Sequence, residues 1–537
     1  MKRLLLLFLI VVNVMITADS FSQSISLDPS FGIEGIVRKD INELLGSGAA
    51  TRKIKKIIEQ EDGKILCLSE RGAYGSSFDA TKVVIARYLP EGIPDPIFGN
   101  QGFVISDFTL NDIALQNDGK IIGLGQKQNT DGVNEVAIVR YNPNGFFDNS
   151  FGNEGVKMML GVSATENPLQ QVLIQEDGKI LIGGAVYIMT YETNFRLIRL
   201  LQNGDLDPDF GVGGMVNTNI VAYDYFGKMR LTNDGKILVI GTVCLTLPTY
   251  GSPGGDHNEN YRLGFARYNM DGTLDTSFGS GGIKDFADPV FFGDVRFRDF
   301  VILADNSIVV AGTKAFYDPN NSKFQGYILK FNSAAVLDGS FGNNGIILKD
   351  GGATENWLAI SIAVDSSNHI LAGYIKIGAT RNLALGRYTQ NGIPDMSVGE
   401  QGIFTVPVLE SDFLSLVVLS DNKILMGGSN QSNLLLLRLN NVALSTDSFN
   451  LDAISCSVYP NPIKESTVFN FNLKTDECLT IQLYNANGNL IKTIVEDRNY
   501  SEGYHNEELD INDALPKGVY FLKITNKHIS KTIKLIK

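Results

Sequence analysis

Short apolar runs separated by glycine-rich turns dominate the chain, and segments with the 3.6-residue period of an amphipathic helix are nearly absent. The clearest runs come in pairs around an Asp-Gly step, as in "QQVLIQEDGKILIGG" (170–184). Asp-Gly between two apolar runs is typical of a β-hairpin with a type I′ turn. The pattern therefore predicts short antiparallel strands that are covered on both faces.

Two more landmarks recur with this hairpin. One is a motif of the form "LDxSFGxxG", as in "LDPDFGVGG" (206–214), and the other is a strand ending in a cation and usually an aromatic residue, as in "IARYLPEG" (85–92). The mean spacing of about 61 residues is typical of stacked supersecondary units. The glycine after the aromatic position marks seven copies, at Gly32, Gly99, Gly152, Gly211, Gly279, Gly342 and Gly399.

Four strands per repeat, taken seven times, predict an all-β fold: a seven-bladed β-propeller of about sixty-residue repeats. We expect strand a after the glycine motif, strands b and c around Asp-Gly, and strand d ending in the cation. The glycine motif would then connect strand d of one blade to strand a of the next. In one copy we expect positive φ at Gly204 and Gly211, backbone hydrogen bonds to Asp207, and apolar plugs at Leu206 and Phe210.

The C-terminal stretch has a different pattern. "TVFNFNL" (467–473) and "LTIQLYN" (479–485) alternate apolar and polar residues, as half-buried strands do. We therefore expect a small Ig-like β-sandwich after the propeller. The predicted domains are a seven-repeat propeller at 24–442, a linker at 443–456 and the C-terminal domain at 457–537.

The N-terminus predicts export. Lys2 and Arg3 precede a 13-residue run, 4–16, that is apolar except for Asn13, and small residues follow it. This is the pattern of a secretory signal peptide, which we assign to 1–23; a spanning helix needs about 20 apolar residues. No later segment is long and apolar enough to span a membrane, so we expect a secreted or outer-surface protein that passes through the periplasm.

Charge and cysteine content narrow the classes of partner. The 537 residues include 46 Lys and Arg against 59 Asp and Glu, a formal net charge of −13. A chain this acidic should repel nucleic acid and anionic membranes. Four cysteines are too few for a disulfide scaffold, so packing must supply the stability. Cys456 and Cys478 could pair after export, and the sequence leaves that open.

The repeats resemble the delta-60 repeat, a family of roughly sixty-residue units in exported bacterial proteins. The resemblance rests on "LDxSFGxxG" and "DGKI", covers about 27–440, and implies a propeller-like fold without an agreed activity. The seventh copy departs from the motif, because Val398 replaces the aromatic residue, so its plug should be weaker.

The C-terminal domain resembles the sorting domain of the bacteroidete type IX secretion system. The matching residues include "VYPNP" (458–462) and "LPKGVYFLKI" (515–524). The resemblance implies that residues 457–537 are recognised by the type IX machinery, and that the passenger is then held at the cell surface or released.

Metal and cofactor chemistry finds little support. Four histidines lack the spacing of zinc ligands. "NMDGTLD" (269–275) and "DGGATEN" (350–356) cluster oxygen ligands but lack the spacing of a calcium loop. We therefore expect no cofactor, with calcium as the alternative.

A cation recurs at the end of strand d. A ring of cations lining a channel is one interpretation. We favour the other, in which each arginine packs over an aromatic residue and pairs with an acid of a neighbouring blade. The residues concerned are Arg87, Arg140, Arg199, Arg267, Arg387 and Arg438.

A ligand site is expected where the repeats vary. The a–b and c–d loops share one face and differ between repeats, and the c–d loop at 242–262 is the longest. The candidate ligand-binding residues on this face are Tyr250, His257, Tyr261, Tyr317 and Trp357. The alternative for Trp357 is that it packs against its own blade.

We therefore expect a binding module for a surface protein or glycan, exported by its C-terminal domain. One alternative is a secreted enzyme acting on polysaccharide, for which Asp256, Glu259 and Glu355 are the candidate carboxylates. The other is a purely structural surface component. The binding module is favoured over an enzyme because nothing in the sequence orders those carboxylates.

Overall fold

The computed structural model divides the chain into two compact units, with the division between Asn441 and Val442. The residues that it describes are 25–46, 53–70, 82–163, 169–188, 192–245, 261–287, 294–316, 323–352, 354–409, 411–430, 433–442, 454–460, 462–463, 466–473, 476–485, 489–510, 515–525 and 530–537. The predicted signal peptide and most of the predicted linker lie outside them.

The first unit begins with β1 (Ile25–Leu27), β2 (Ile36–Asp40) and the short helix α1 (Ile41–Leu45). Its later strands form sheets in which successive strands are antiparallel neighbours. Sheet 1 contains β3 (Ile54–Glu59), β4 (Ile65–Ser69), β5 (Val83–Tyr88) and β6 (Phe103–Ser106). Sheet 2 contains β7 (Thr109–Leu115), β8 (Ile121–Gln128), β9 (Asn134–Tyr141) and β10 (Val156–Ser163). Sheet 3 contains β11 (Leu169–Ile174), β12 (Ile180–Tyr187), β13 (Thr193–Leu200) and β14 (Met215–Thr218).

The remaining sheets of this unit follow the same order. Sheet 4 contains β15 (Tyr223–Leu231), β16 (Ile237–Cys244), β17 (Tyr261–Tyr268) and β18 (Ile283–Phe286). Sheet 5 contains β19 (Asp294–Ile302), β20 (Ile308–Phe316), β21 (Lys323–Phe331) and β22 (Ile346–Lys349). Sheet 6 contains β23 (Asn356–Val364), β24 (Ile370–Ile377), β25 (Arg381–Tyr388) and β26 (Ile403–Leu409). Sheet 7 contains β27 (Ser411–Val418), β28 (Ile424–Asn430) and β29 (Asn433–Asn441). A single parallel bridge, between Thr193 and Tyr223, joins sheets 3 and 4.

The outer strand of sheet 7 comes from the beginning of the unit. Both β1 and β2 pair with β29, with Ile25 opposite Asn441 and Ile36 opposite Leu437. Sheet 7 therefore contains both ends of the first unit. This pairing stabilises the unit as a whole, because it joins the first strands of the unit to its last strand.

The first strands of the sheets pack against one another in chain order. β3 contacts β7, which contacts β11, and the series continues through β15, β19, β23 and β27, which returns to β3. Apolar residues of neighbouring sheets share common clusters; Leu66 and Ile85 of sheet 1, for example, pack with Leu110 and Val139 of sheet 2. The core of the unit therefore lies between the sheets, which explains why their strands read as continuous apolar runs.

Each described first strand carries a β-bulge, which lies close to the strand start in β3, β7 and β11 and near the strand middle in β15, β19, β23 and β27. The register with the second strand skips one residue there, and the pairing then resumes. A bulge bends its strand and re-aims the side chains beside it. The residues that the register skips are Lys55, Asn111, Gln170, Gly227, Arg298, Ile360 and Leu414.

The Asp-Gly hairpins are confirmed, but the predicted type I′ turn is not what forms. In sheet 1 the Gly63 N–H donates to the Gln60 carbonyl, and Gln60 N–H donates to the Lys64 carbonyl. Gly63 has φ 77°, whereas Asp62 is not among the residues with positive φ. This is a three-residue loop, in which a type I turn is followed by a left-handed glycine. Asp62 Oδ1 accepts from Lys64 N–H, which favours Asp before the glycine.

The glycine motif does not connect two sheets, so that prediction is wrong. The motif at 201–214 lies between β13 and β14, and β14 pairs back onto β13. The link from one sheet to the next is instead the segment between a fourth strand and the following first strand, as between β6 and β7. The sequence pattern placed the strands correctly but assigned the fourth strand to the wrong sheet.

Within this motif, Asp207 has the expected turn role and a second one. Its Oδ1 accepts from Asp209 N–H at 3.1 Å, and its Oδ2 accepts from Arg199 Nε at 2.6 Å. Lys179 Nζ lies 3.0 Å from the same Oδ2. The Arg199 guanidinium covers the Phe210 ring at 4.6 Å. Phe210 is fully buried, as expected, whereas Leu206 is 41% exposed and is not a plug.

The predicted partners of the repeated arginines need a correction. The acid lies in the same sheet, eight residues after the arginine in the chain, as in Arg87–Asp95 and Arg140–Asp148. The neighbouring sheet contributes a carbonyl oxygen instead: Arg140 Nη1 donates to Gln202 O at 3.0 Å. The acid cannot come from the next sheet because the loop bearing it folds back over its own third strand.

This arrangement recurs around the first unit. The ion pairs in the other sheets are Arg267–Asp275, Lys330–Asp338, Arg387–Asp395 and Arg438–Asp28. The oxygen atoms that the cations reach in the next sheet belong to Pro143, Gln202, Met270, Ser333, Gln390, Asn441 and Pro90. Arg438 completes the series, because it binds Asp28 at the start of the unit and Pro90 in sheet 1. Val398 is fully buried where the other copies place an aromatic ring.

The second unit contains two sheets around one core. Its strands are β30 (Ile454–Tyr459), β31 (Ser466–Leu473), β32 (Glu477–Asn485), β33 (Leu490–Tyr500), β34 (Gly503–Asp510), β35 (Val519–Thr525) and β36 (Ser530–Ile536). The sheet β30-β31-β34 faces the sheet β33-β32-β35-β36 across a cluster that includes Phe469, Phe471, Ile481 and Leu522. Cys478 is exposed and free, and the side chain of Cys456, the other residue of the pair left open by the sequence, lies outside the described part of the chain.

Within the described ranges, no helix is long and apolar enough to cross a membrane. α1 has only five residues and is capped by Asp40, whose carboxylate accepts from Asn42 N–H.

The buried ion pair predicts a large loss of stability on neutralising Asp207. Asp207→Asn leaves Arg199 without its buried counter-charge and should lower the free energy of unfolding by about 3 kcal/mol. Chemical denaturation of the purified protein measures the change. The matched control is Asp205→Asn in the same loop, where the carboxylate is exposed and pairs with Lys157 at the surface. Equal denaturation midpoints for the two variants would contradict the structural role of Asp207.

The same carboxylates predict acid sensitivity in a defined range. Burial opposes ionisation of Asp28 and Asp148, but hydrogen bonds from Ser30 and Ser150 and the nearby cations outweigh it, lowering both pKa values from 3.8 to about 2. Because the folded-state pKa is depressed, the stabilisation is complete above pH 3.8 and is lost as the pH falls through 2. The denaturation midpoint should therefore fall steeply between pH 4 and 2, and less steeply in Asp148→Asn. A pH-independent midpoint across this range would be inconsistent with these pairs.

Candidate functional site

The ends of the sheets in the first unit differ in character. The Asp-Gly turns and the glycine motifs lie at one end, which we call the turn face. The other end, the loop face, carries the connections between second and third strands and the links between sheets. The longest second-to-third connection, 245–260, joins β16 to β17. Since the glycine motif of every sheet repeats the ion-pair arrangement, variation between the sheets is concentrated on the loop face.

Three of the five predicted ligand-binding residues, Tyr250, His257 and Tyr317, lie outside the described residues. Tyr261 is the first residue of β17 and is partly exposed. Its ring packs against Tyr225 of β15, with centroids 6.4 Å apart and planes tilted by 51°. Tyr225 is 39% exposed. The loop face of sheet 4 therefore presents two neighbouring tyrosine rings beside its longest connection.

Tyr225 is not among the residues predicted from the sequence, although its strand contains a signal for it. Tyr223 and Tyr225 are two residues apart in β15 and so lie on the same face of the sheet. Tyr225 is opposite Thr242, whose Oγ1 accepts from Phe297 N–H of sheet 5 at 3.0 Å. The tyrosine pair therefore lies on the side of sheet 4 that is turned toward sheet 5.

Asp224 occupies the opposite side of the same strand and fixes the link from sheet 3. Its carboxylate is fully buried and accepts from Ile220 N–H at 2.6 Å and from Val221 N–H at 3.1 Å. Its own N–H donates to Thr193 Oγ1. Burial raises the pKa of Asp224 to about 7, although the two amide hydrogen bonds oppose the increase. Asp224 thus anchors the backbone beside Tyr225.

Trp357 is not an exposed aromatic residue, and its inclusion among the ligand-binding residues is corrected. It is 5% exposed and packs edge-on against Tyr374, with ring centroids 5.7 Å apart. The ammonium groups of Lys349 and Lys376 lie 4.9 and 5.5 Å from its ring. Its side chain belongs to the apolar cluster shared by sheets 5 and 6. Successive side chains of β23 point to opposite faces of the sheet, and Trp357 falls on the buried face.

The carboxylates suggested for an enzyme are not brought together in the described part of the chain. Asp256 and Glu259 lie outside it. Glu355 is within 2.8 Å of Lys376 Nζ, and this hydrogen bond lowers the pKa of Glu355. A general acid needs a raised pKa to keep its proton near neutral pH, so Glu355 is unsuited to that role.

The two segments with clustered oxygen ligands use their carboxylates locally. Asp271 Oδ1 accepts from the N–H and the hydroxyl of Thr273. Asp350 accepts from Gly352 N–H and pairs with Lys323 at 2.9 Å. Over the ranges that the structure describes, no three His, Cys, Asp or Glu side chains form a group that could hold a metal ion.

A central cavity of about 280 Å³ is lined by residues from all seven first strands. The residue that follows the bulge in each strand contributes to the lining, and its identity differs between sheets. These residues are Lys56, Asp112, Gln171, Lys228, Asp299, Ser361 and Ser415. The repeated backbone feature thus places different polar groups around one cavity.

The charged residues of the central cavity are paired between and within sheets. Lys56 Nζ lies 3.3 Å from Asp112 of the next sheet. Lys228 and Arg230 lie 2.9 and 3.0 Å from Asp299 Oδ1. Burial opposes ionisation of Asp299, but the charges of Lys228 and Arg230 outweigh it and lower its pKa to about 2. Asp299 therefore carries its negative charge at neutral pH.

Comparison with known protein families supports both units. The model described as "Domain of unknown function (DUF5122) beta-propeller" matches residues 116–151, 175–210 and 251–278. The model of the secretion system C-terminal sorting domain matches residues 457–537. These matches confirm the two resemblances drawn from the sequence motifs. No curated protein sequence matches the chain.

Several solved structures share a distant likeness with the chain. PorZ, a surface component of the type-IX secretion system of Porphyromonas gingivalis, is 13% identical with a TM-score of 0.33, covering 90% of this chain and 69% of PorZ. Drosophila Semaphorin 1a is 8% identical with a TM-score of 0.38, covering 75% of this chain and 88% of the semaphorin chain. TM-scores this low are no basis for transferring either fold or function.

Three segments of the first unit therefore match the DUF5122 β-propeller model, and residues 457–537 match the secretion system C-terminal sorting domain.

Proposed function

We propose that this protein is an exported binding module, a seven-bladed β-propeller that takes a protein or glycan ligand on its loop face. The observation that carries the proposal is the tyrosine pair of exposed Tyr225 and partly exposed Tyr261, beside the longest connection of the unit. The sorting domain at 457–537 implies export to the cell surface or the medium. Passage through the periplasm, guided by the signal peptide at 1–23, belongs to the proposal.

The proposed blade number rests on the strand pairing and on the contacts between sheets. Seven described groups of antiparallel strands follow one another, and their first strands contact in a closed series. Pairing of both ends of the first unit in one sheet closes such a ring, because the first and last strands of the unit then belong to the same blade. For the second unit we propose an Ig-like sandwich, which its two sheets around a single core support.

Two tyrosine rings suit a binding role. Tyrosine combines a large, rigid apolar surface with a hydroxyl group, so it contacts sugar rings and protein side chains with little loss of conformational entropy. The ion-paired turn face holds the sheets, which leaves the loop face free to vary without loss of stability. Tyr250, His257 and Tyr317 remain part of the proposed site, since they belong to loops that leave the strands at this face.

An enzyme is less well supported than a binding module. In the described part of the first unit, Asp224 has a raised pKa, but it is fully buried and bound to backbone amides. Glycoside hydrolysis needs a second carboxylate several ångströms away across an accessible cleft. A binding function requires neither feature.

Removing the tyrosine rings tests the proposed ligand face. The double variant Tyr225→Ala, Tyr261→Ala should weaken ligand binding by about tenfold or more, since aromatic contacts at the centre of an interface carry much of the affinity. A glycan array and an array of purified surface proteins identify a ligand, and calorimetry measures its affinity. The control is Phe146→Ala on the turn face, in the loop between β9 and β10, which removes an aromatic ring that is 61% exposed. If both variants bind as tightly as the wild type, the face is wrongly assigned; hydrolysis of an arrayed polysaccharide would favour the enzyme.

Deleting residues 457–537 tests the export route. In a bacterium with a type IX system, the truncated protein should accumulate inside the cell envelope, because its recognition domain is gone. Cell fractionation with antibody detection measures its location. The reciprocal control fuses residues 457–537 to a periplasmic reporter, which should then reach the surface or the medium. Normal surface delivery of the truncated protein would exclude this domain as the signal.

A further inference from the structure

The charge of the central cavity is opposite in sign to that of the protein. Four cations line it, Lys55, Lys56, Lys228 and Arg230, against the two carboxylates of Asp112 and Asp299. The lining therefore carries two more positive than negative charges, whereas the whole chain has a formal charge of −13. A narrow cavity with low-dielectric walls concentrates such a field and attracts ions of the opposite sign.

The cationic side chains of the cavity are more exposed than its carboxylates, so the accessible surface is more positive than the count of charged residues indicates. The carboxylate side chains of Asp112 and Asp299 are only 8 and 3% exposed. The side chains of Lys56, Lys228 and Arg230 are 29, 36 and 38% exposed. The negative groups thus lie behind the positive ones, and a molecule entering the cavity meets cationic heads.

The hydrogen bonds of the two carboxylates reinforce this arrangement. Besides its two cations, Asp299 accepts from the Ser361 hydroxyl at 2.7 Å and from Ile362 N–H at 3.2 Å. Asp112 accepts from Lys56 and from Val172 N–H at 3.1 Å. These acceptors are engaged by the protein, whereas an ammonium group has three N–H donors and a guanidinium has five, of which Lys55 Nζ and Arg230 Nε also donate to the carbonyls of Leu110 and Phe300. The donors outnumber the acceptors in the cavity.

Hydroxyl and amide groups complete the lining. Ser361, Ser415 and Gln171 occupy the position after the bulge in three other sheets. Burial lowers the pKa of Lys228, an effect that Arg230 increases and Asp299 opposes, so the cationic form of Lys228 has less stabilisation than it would have in water. A bound anion would supply that missing stabilisation.

We infer that the central cavity binds a small oxyanion, a carboxylate, sulfate or phosphate group borne by a molecule no larger than a monosaccharide. The size limit follows from the cavity of about 280 Å³, at the lower end of the usual range for ligand sites. Lys56, Lys228 and Arg230 hold the oxygen atoms, and Ser415 adds a neutral donor, whereas the Ser361 hydroxyl already donates to Asp299. This site is separate from the tyrosine pair and does not depend on the proposed function.

Calorimetric titration of the purified exported protein tests the inference. The probes are sodium sulfate, sodium phosphate and sodium galacturonate, with galactose as the neutral match for galacturonate, all at one ionic strength. We expect at least one anion to bind and galactose not to bind. Preference for galacturonate identifies a sugar carboxylate as the ligand, and preference for sulfate or phosphate identifies an inorganic or ester group. Absence of binding heat from all three anions up to about 10 mM would overturn the proposal, because a specific site should be saturated well below that concentration.

Two variants and a control locate the binding. Lys228→Met should weaken the anion by about tenfold, the loss of one charged contact of about 1.4 kcal/mol, and Lys56→Met should have a similar effect. Arg230 still pairs with Asp299 when Lys228 is replaced, so the fold should persist, and circular dichroism checks it. The control Lys284→Met removes an exposed lysine from β18, away from the cavity lining. Unchanged affinity in folded Lys228→Met and Lys56→Met, or equal losses in Lys284→Met, would refute the site.

Discussion

The buried pair between the cation of the third strand and the aspartate eight residues later is the interaction on which the first unit depends. A buried ion pair stabilises a fold only when its remaining donors and acceptors are also satisfied. Arg199 meets this condition through Asp207, the Phe210 ring and a carbonyl of the next sheet. Each pair therefore holds its own loop and also fastens one sheet to its neighbour. Since Arg438 of sheet 7 binds Asp28 and the Pro90 carbonyl of sheet 1, the series of contacts is closed.

Because of this constraint, the turn face holds the sheets together, whereas the loop face is free to vary in sequence and length. On the turn face, the aspartate, serine, phenylalanine, glycine and basic positions all belong to one repeated set of contacts, so few substitutions are tolerated there. The loop face has no comparable set, and its connections range from one residue between β26 and β27 to sixteen between β16 and β17. The bulges in the first strands are both constant and variable. The bulge itself recurs in every sheet, but the side chain that follows it, which faces the central cavity, differs from sheet to sheet.

Several features were predictable because their physical causes are local. The Asp-Gly hairpins, the positive φ of Gly204 and Gly211 and the turn role of Asp207 depend on residues within a few positions of one another. The assignment of the fourth strand was wrong because a strand pattern does not state which neighbour the strand pairs with. The arginine partners were misassigned for the same reason, since the fold-back of the loop places the acid on its own sheet.

The sequence by itself determined the repeat, the all-β class, the hairpin positions and the nature of the C-terminal domain, because each is recorded in short-range patterns of apolar, turn and charged residues. Only the tertiary structure decided that Trp357 points into the core, that Tyr225 joins Tyr261, and that Lys56 meets Asp112 across 56 positions of sequence. Those outcomes depend on the face a side chain takes and on the sheet beside it. The closing contact, between residues 410 positions apart, depends on the complete set of sheets.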